Sequence, residues 1–144
     1  MHTHMQTARI FTVGNGKELQ CIDTFKGPVL SCAFTVDSLH AIAGSSTGQL
    51  VISEVGSGKA VQRVENAHAG KINHMSAAPD GKLLATGGSD KVCKVWQLSG
   101  SGRWACIKTL KLADEVNFLL ISMYIYVHVN LRIHCLYIFT LGNA

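Results

Sequence analysis

An eight-residue segment occurs twice in this chain, and that recurrence constrains the fold more than any other feature. Val13-Gly14-Asn15-Gly16-Lys17-Glu18-Leu19-Gln20 returns 42 positions later as Val55-Gly56-Ser57-Gly58-Lys59-Ala60-Val61-Gln62, with five of eight residues identical. Further on the register holds at 43: Gly27 matches Gly70, Val29 matches Ile72, Asp37 matches Asp80, Gly44 matches Gly87 and Ile52 matches Val95. A third Gly-x-Gly turn at Gly100-Ser101-Gly102 brings one extra residue. The resulting offset of 44 carries on to Val116-Asn117, opposite Ile72-Asn73. Units that recur this way bury their apolar faces against one another, so the chain has to stack them.

Within one period the texture is that of short strands. Val29–Phe34, residues 40–43, residues 50–55 and Val92–Leu98 are apolar or alternating runs parted by Gly, Ser, Asp and Asn. No stretch outside the C-terminal end sustains a helical period. Four short strands in 42 to 44 residues is the period of a β-propeller blade. The expected fold class is therefore all-β, with about two to three four-stranded antiparallel blades of a partial propeller. Residues 9–13 and 18–25 read as the third and fourth strands of a first blade that lacks its first two. Gly14, Gly16, Gly56 and Gly58 are expected to supply positive φ in hairpin turns, where a Cβ is penalised.

One repeat carries a recognisable order of motifs. Ala67-His68-Ala69-Gly70-Lys71-Ile72 is followed by the run Pro79-Asp80-Gly81-Lys82-Leu83-Leu84-Ala85-Thr86-Gly87-Gly88-Ser89-Asp90 and by Lys94-Val95-Trp96-Gln97. The series resembles the WD40 repeat, whose pattern is a Gly-His pair, a Pro-Asp-Gly turn, a Leu-Ala-Ser-Gly strand, an Asp turn and a closing Trp-Asp. Here the two dipeptides read Ala67-His68 and Trp96-Gln97, 28 positions apart from His68 to Trp96. The resemblance implies a structural hydrogen-bond network of His68, Thr86, Asp90 and Trp96. Its physical logic stands by itself, because a buried indole N–H needs a neighbouring acceptor, and one missing member leaves another buried polar group unpaired. A catalytic use of His68 and Asp90, with Ser89 as a third member, is the competing reading, and the family assigns these residues to architecture. In the preceding repeat the matching positions hold Phe25, Ala43, Thr47 and Ser53, so that blade is expected to rely on apolar packing of Val29, Leu30, Phe34, Ile42, Leu50 and Ile52. Phe11 falls at the Trp96 position of the first, partial blade.

The register fails in the third copy. Met123-Tyr124-Ile125 stands where Pro-Asp-Gly is due, and the composition turns to Ile, Tyr, Val, Leu and Phe. The expected organisation is a disordered N-terminus over 1–7, a partial propeller over 8–122 and an apolar, non-repeat tail over 123–144. Three readings of residues 118–141 stand side by side: a membrane helix interrupted by Asn130, Arg132 and His134, two edge strands, or a truncated or mis-spliced end of a longer propeller gene.

Charge and cysteine usage bear on function. The net charge of +4 comes from basic residues spread singly along the chain, without the clustering of a nucleic-acid or membrane-surface footprint. Five cysteines form no C-x-x-C pair, and no secretory signal opens the chain, which points to a reduced intracellular setting. His2 and His4 make a weak metal grip at a terminus. No phosphate-cradling loop, carboxylate pair, nucleophile elbow or metal motif stands out. The expected function is a WD-repeat scaffold with no catalytic residue, cofactor or metal, part of a larger assembly, binding proteins or peptides through rim loops at residues 68–71 and 89–91. The alternative is a membrane-tethered module anchored by the apolar tail. A cytoplasmic location is expected, with the nucleus open. Asn66-Ala67-His68 and the Trp96-Gln97 ending are also similar to repeats of flagella-associated scaffold proteins, which would extend the location to a cilium or flagellum.

Overall fold

Hairpin turns of a few residues follow nearly every strand, so neighbours in sequence become neighbours in a sheet. A computed structural model describes residues 6–126 and 131–140, with side chains described over residues 6–116. It contains β1 (Ala8–Phe11), β2 (Glu18–Ile22), β3 (Val29–Phe34), β4 (His40–Ser45), β5 (Leu50–Glu54), β6 (Ala60–Val64), β7 (Ile72–Ala77), β8 (Leu83–Gly88), β9 (Val92–Leu98), β10 (Trp104–Lys111), β11 (Val116–Tyr126) and β12 (Leu131–Thr140). These make four antiparallel sheets in chain order: β1-β2, β3-β4-β5-β6, β7-β8-β9-β10 and β11-β12. The two four-stranded meanders are blade 1 and blade 2, and the two-stranded sheets flank them.

The repeated octapeptide makes the same turn twice. Thr12 N–H donates to Lys17 O and Gly16 N–H to Thr12 O, while Glu54 N–H donates to Lys59 O and Gly58 N–H to Glu54 O. Only the last turn residue must enter the left-handed region, so Gly16 (φ +69°) and Gly58 (φ +73°) have positive φ. Gly14 and Gly56, expected to share that role, do not.

Apolar clusters fill the spaces between sheets. Ile42, Leu50 and Ile52 of blade 1 meet Ile72, Met75, Leu84 and Trp96 of blade 2. Ile10, Ile22 and Phe25 pack on Ala43 and Val51, and Val116 packs on Ala85 and Cys93. Burial pushes the Cys93 thiol up to about 11, so it stays a protonated core group. The inner strands come closest. A Cβ on Gly44 would lie 2.7 Å from Ile72 Cγ2, and one on Gly87 would lie 2.4 Å from Val116 Cγ1. The two contacts repeat one another along the chain, and each is braced at the matching carbonyl of the next unit: Ser31 Oγ–H donates to Ile72 O at 2.9 Å, and Asn73 Nδ2–H to Val116 O at 3.2 Å. On the outer strands, Gln62 and Trp104 exchange two bonds of 2.8 Å, and Gln20, the counterpart of Gln62, donates to Gly56 O at 2.9 Å.

Two expectations for blade 1 need correction. Leu30 and Phe34 do not join its core; both are exposed, Phe34 by 53 %. Strand β3 alternates half-buried and exposed residues, and Leu30 and Phe34 fall on its open positions. At the C-terminal end the backbone of β11 and β12 is paired strand, and the expected boundary at residue 122 falls inside β11. No helix among the described residues is long and apolar enough to cross a membrane. Residues 127–130 and 141 of the apolar run lie outside the described residues, as do residues 1–5 of the N-terminus expected to be disordered, with His2 and His4.

The close contact of Gly44 with Ile72 gives a direct test. Gly44→Ala is expected to lower unfolding free energy by about 1–3 kcal/mol through overpacking. Adding Ile72→Ala should cost less than the two single changes combined, because the smaller side chain makes room for the new methyl. Chemical denaturation of the three variants measures the difference.

Candidate functional site

The long connection from β6 to β7 carries His68 back under blade 2, where β8 brings Thr86, the β8–β9 turn brings Asp90 and β9 brings Trp96. The four side chains form one chain of hydrogen bonds. Trp96 Nε1–H donates to Thr86 Oγ1 at 2.9 Å, and Thr86 Oγ1 lies 2.8 Å from His68 Nε2. His68 Nδ1 lies 3.0 and 3.1 Å from the two oxygens of Asp90. A neutral imidazole protonated at Nδ1 satisfies every member: indole to hydroxyl, hydroxyl to Nε2, Nδ1–H to carboxylate. Burial lowers the pKa of His68, against the opposing pull of the Asp90 carboxylate, and so favours this neutral form.

Asp90 then uses its remaining acceptor capacity on backbone. It accepts from Ala69 N–H at 3.1 Å and Val92 N–H at 3.3 Å. Ser89 Oγ accepts from Lys71 N–H at 2.9 Å, and Ser89 N–H donates to Lys71 O at 3.0 Å. The loops at 68–71 and 89–91 are thereby tied together at one rim, with His68 buried beneath them and Ala69, Lys71 and Lys91 exposed. Chemically the arrangement is a brace. Thr86 is 0 % exposed and Trp96 4 %, so the hydroxyl that meets His68 is closed to solvent, and the Ser89 hydroxyl of the competing reading accepts from Lys71 N–H.

Blade 1 shows a substitution that sequence matching missed. Phe25, at the position of His68, is buried, and so are Ala43 and Ser53. The role of Asp90 passes to Gln49 rather than to Thr47, which has its position. Gln49 Oε1 accepts from Lys26 N–H at 3.3 Å, as Asp90 accepts from Ala69 N–H, and Gln49 Nε2–H donates to Glu65 at 3.2 Å. Ser45 Oγ accepts from the N–H groups of Thr47 and Gln49. Its polar interior is therefore rebuilt with other residues, not replaced by apolar packing alone. The signal available in the sequence was a glutamine flanked by a glycine and an apolar strand.

On another face, a cleft of about 360 Å³ between the blades is lined by Asp37, His40, Asp80 and Trp104. Its aspartates are engaged in turns: Asp37 accepts from Thr35 Oγ1–H and Leu39 N–H, which hold its carboxyl below the usual range, and Asp80 accepts from Lys82 N–H. Among the described residues no cluster of three or more His, Cys, Asp or Glu could hold a metal ion.

Residues 59–97 match the family described as WD domain, G-beta repeat. A U3 small nucleolar RNA-associated protein 12 from Saccharomyces cerevisiae is 35 % identical over 85 residues, covering 58 % of this chain and 9 % of that protein. The human WD repeat-containing protein 3 is 34 % identical over the same length and the same shares. A guanine nucleotide-binding protein subunit beta from Oryza sativa subsp. indica is 31 % identical over 104 residues, 65 % of this chain and 27 % of that one. The chain thus spans about a tenth of the first two relatives. Among solved structures, the RRP9 WD40 repeats superpose with a TM-score of 0.63 at 20 % identity, over 69 % of this chain and 31 % of that one, a likeness of fold. The flagellar similarity is not shown by these relatives.

The network makes stability sensitive to both mutation and pH. His68→Ala removes the acceptor of the Thr86 hydroxyl and the donor to Asp90, and is expected to cost about 2–3 kcal/mol. Because burial puts the folded pKa of His68 below its unfolded value of 6.5, its contribution is complete above that value. It is lost as pH falls below it. His74, also lowered by burial, acts in the same direction. Thermal unfolding followed from neutral to acidic pH should show this loss, with a shallower slope in His68→Gln.

Proposed function

Residues 59–97 of this chain are a WD repeat within a partial WD-repeat propeller, and from that premise we propose that it is a non-catalytic scaffold segment that binds proteins or peptides at the rim formed by residues 68–71 and 89–91. WD-repeat proteins generally act as platforms for other proteins, and the observation that supports this use here is the bracing of the two loops. Every polar atom of His68, Thr86 and Trp96 is turned inward, and Asp90 and Ser89 hold the loop backbones in place. A surface fixed before binding loses less conformational entropy on association. Lys71 and Lys91 stand exposed on it, so the partner segment carries acidic groups.

A second reading concerns the setting. The name of the yeast relative ties that protein to a small nucleolar RNA. We extend from it only that an RNA–protein assembly in the nucleus stands beside the cytoplasmic location. Nucleic acid then reaches this chain through the assembly, since its basic residues are spread singly along the sequence. Localisation of a tagged chain separates the two settings.

Reversing charge at the rim tests the binding surface. Lys71→Glu with Lys91→Glu is expected to weaken partner capture from cell extract by tenfold or more, an effect of about 1.4 kcal/mol or above. The thermal midpoint should stay unchanged. Equal capture by the variant and the natural chain would count against the rim as the binding surface.

A further inference from the structure

Blade 2 buries both tryptophans of the chain, and only one of them has an acceptor for its ring. Trp96, 4 % exposed, donates its indole N–H to Thr86 Oγ1. Trp104, 5 % exposed, has no acceptor for its indole N–H among the described residues. Gln62 takes both backbone groups of Trp104 and leaves the ring donor unmatched. A buried indole ordinarily finds a partner, since its N–H loses water on burial and regains nothing. The turn does not demand a tryptophan here: after the same Gly-x-Gly turn, blade 1 has Ala60 at the matching place.

Trp104 stands at the wall of the cleft of about 360 Å³ between the two blades. Both blades are four-stranded meanders, so a whole sheet bounds the cleft on each side. It lies at the other end of the strands from the rim, because β7 starts beside the rim loops at Ile72 and ends at Ala77, beside the Pro79-Asp80-Gly81 turn. Ile52 and Leu98 give it an apolar lining. Along it the matching turns of the two blades meet, and a Cβ on Gly81 would lie 3.4 Å from Val36 Cβ. Asp37 holds its own turn with a single oxygen, Oδ1, which accepts from Thr35 Oγ1–H and Leu39 N–H. Its carboxylate enters no ion pair among the described residues.

We propose that this cleft binds an arginine side chain of a partner peptide. The guanidinium reaches the Asp37 carboxylate, the stem lies on Ile52, Leu98 and Trp104, and a main-chain carbonyl of the peptide accepts from Trp104 Nε1–H. Charge complementarity selects a cation. A planar guanidinium suits both a carboxylate and an aromatic face better than an ammonium does. The unmatched indole selects a peptide over a free cation, since a guanidinium carries donors only and the peptide backbone brings the acceptor. The bonds from Thr35 and Leu39 hold the Asp37 pKa below the usual range, so the carboxylate stays charged at neutral pH. The volume falls within the range of roughly 300–1,000 Å³ common to ligand pockets. This contact takes a basic segment, at the end of the strands opposite the lysine-bearing rim.

The two indole N–H groups give two signals in a nitrogen–proton correlation spectrum of the 144-residue chain. Titration with the blocked peptide acetyl-Ala-Arg-Ala-amide should move the Trp104 signal and leave that of Trp96 in place. The same peptide with glutamate in place of arginine should bind about tenfold more weakly or worse. Asp37→Asn keeps a side-chain oxygen for the turn, and should raise the Kd of the arginine peptide by about tenfold. A Trp104 signal that stays in place at millimolar peptide, or moves equally with the glutamate peptide, overturns the proposal. So does an Asp37→Asn chain that binds the arginine peptide as tightly as the natural one. The two peptides are compared on the unaltered chain, so a variant that fails to fold does not blunt the test.

Discussion

No blade here can bury both of its faces alone, and the stacking of one blade on the next is the constraint from which the rest of the structure follows. It is tightest where an inner strand passes directly over a glycine. Ile72 over Gly44 and Val116 over Gly87 bring adjacent sheets closer than a Cβ would allow. At that distance the branched side chains themselves fill the gap, and the inner-strand bonds from Ser31 and Asn73 fall within reach of the next blade's backbone. The outer strands are held by Gln20 and Gln62, at the same place in successive units. Stability in such an arrangement is a sum over neighbouring units, so every unpaired face matters.

Two blades solve the same local problem with different chemistry. In each, the loop entering the blade has a backbone N–H that must be satisfied beside a buried turn. Blade 2 meets it with Asp90, made rigid by a chain that runs through His68 and Thr86 to Trp96. Blade 1 meets it with Gln49, which reaches Lys26 N–H with its carbonyl while its amide group is taken by Glu65. An uncharged amide needs no histidine beside it, and Phe25 fills the histidine's space with apolar surface. The demand belongs to the fold, and the residues that meet it are free to vary as long as each buried polar atom is matched.

The sequence by itself determined the period and the strand texture, because a recurring face must be buried by its neighbour and glycine is needed where inner strands touch. Gly44, Gly87, Ile72 and Val116 could be matched by counting alone. The motif order, through the resemblance it carries, pointed to His68, Thr86, Asp90 and Trp96 together, and the structure supplies the hydrogen-bond distances that link them. What only the tertiary structure decided depends on distance between residues that no motif links. The exposure of Leu30 and Phe34 depends on which strands lie beside blade 1. The use of Gln49 in place of Thr47 depends on a side chain long enough to reach back from two positions further along the turn. The pairing of β11 with β12 arises because two apolar runs without turn signals still satisfy their backbone groups most simply against each other.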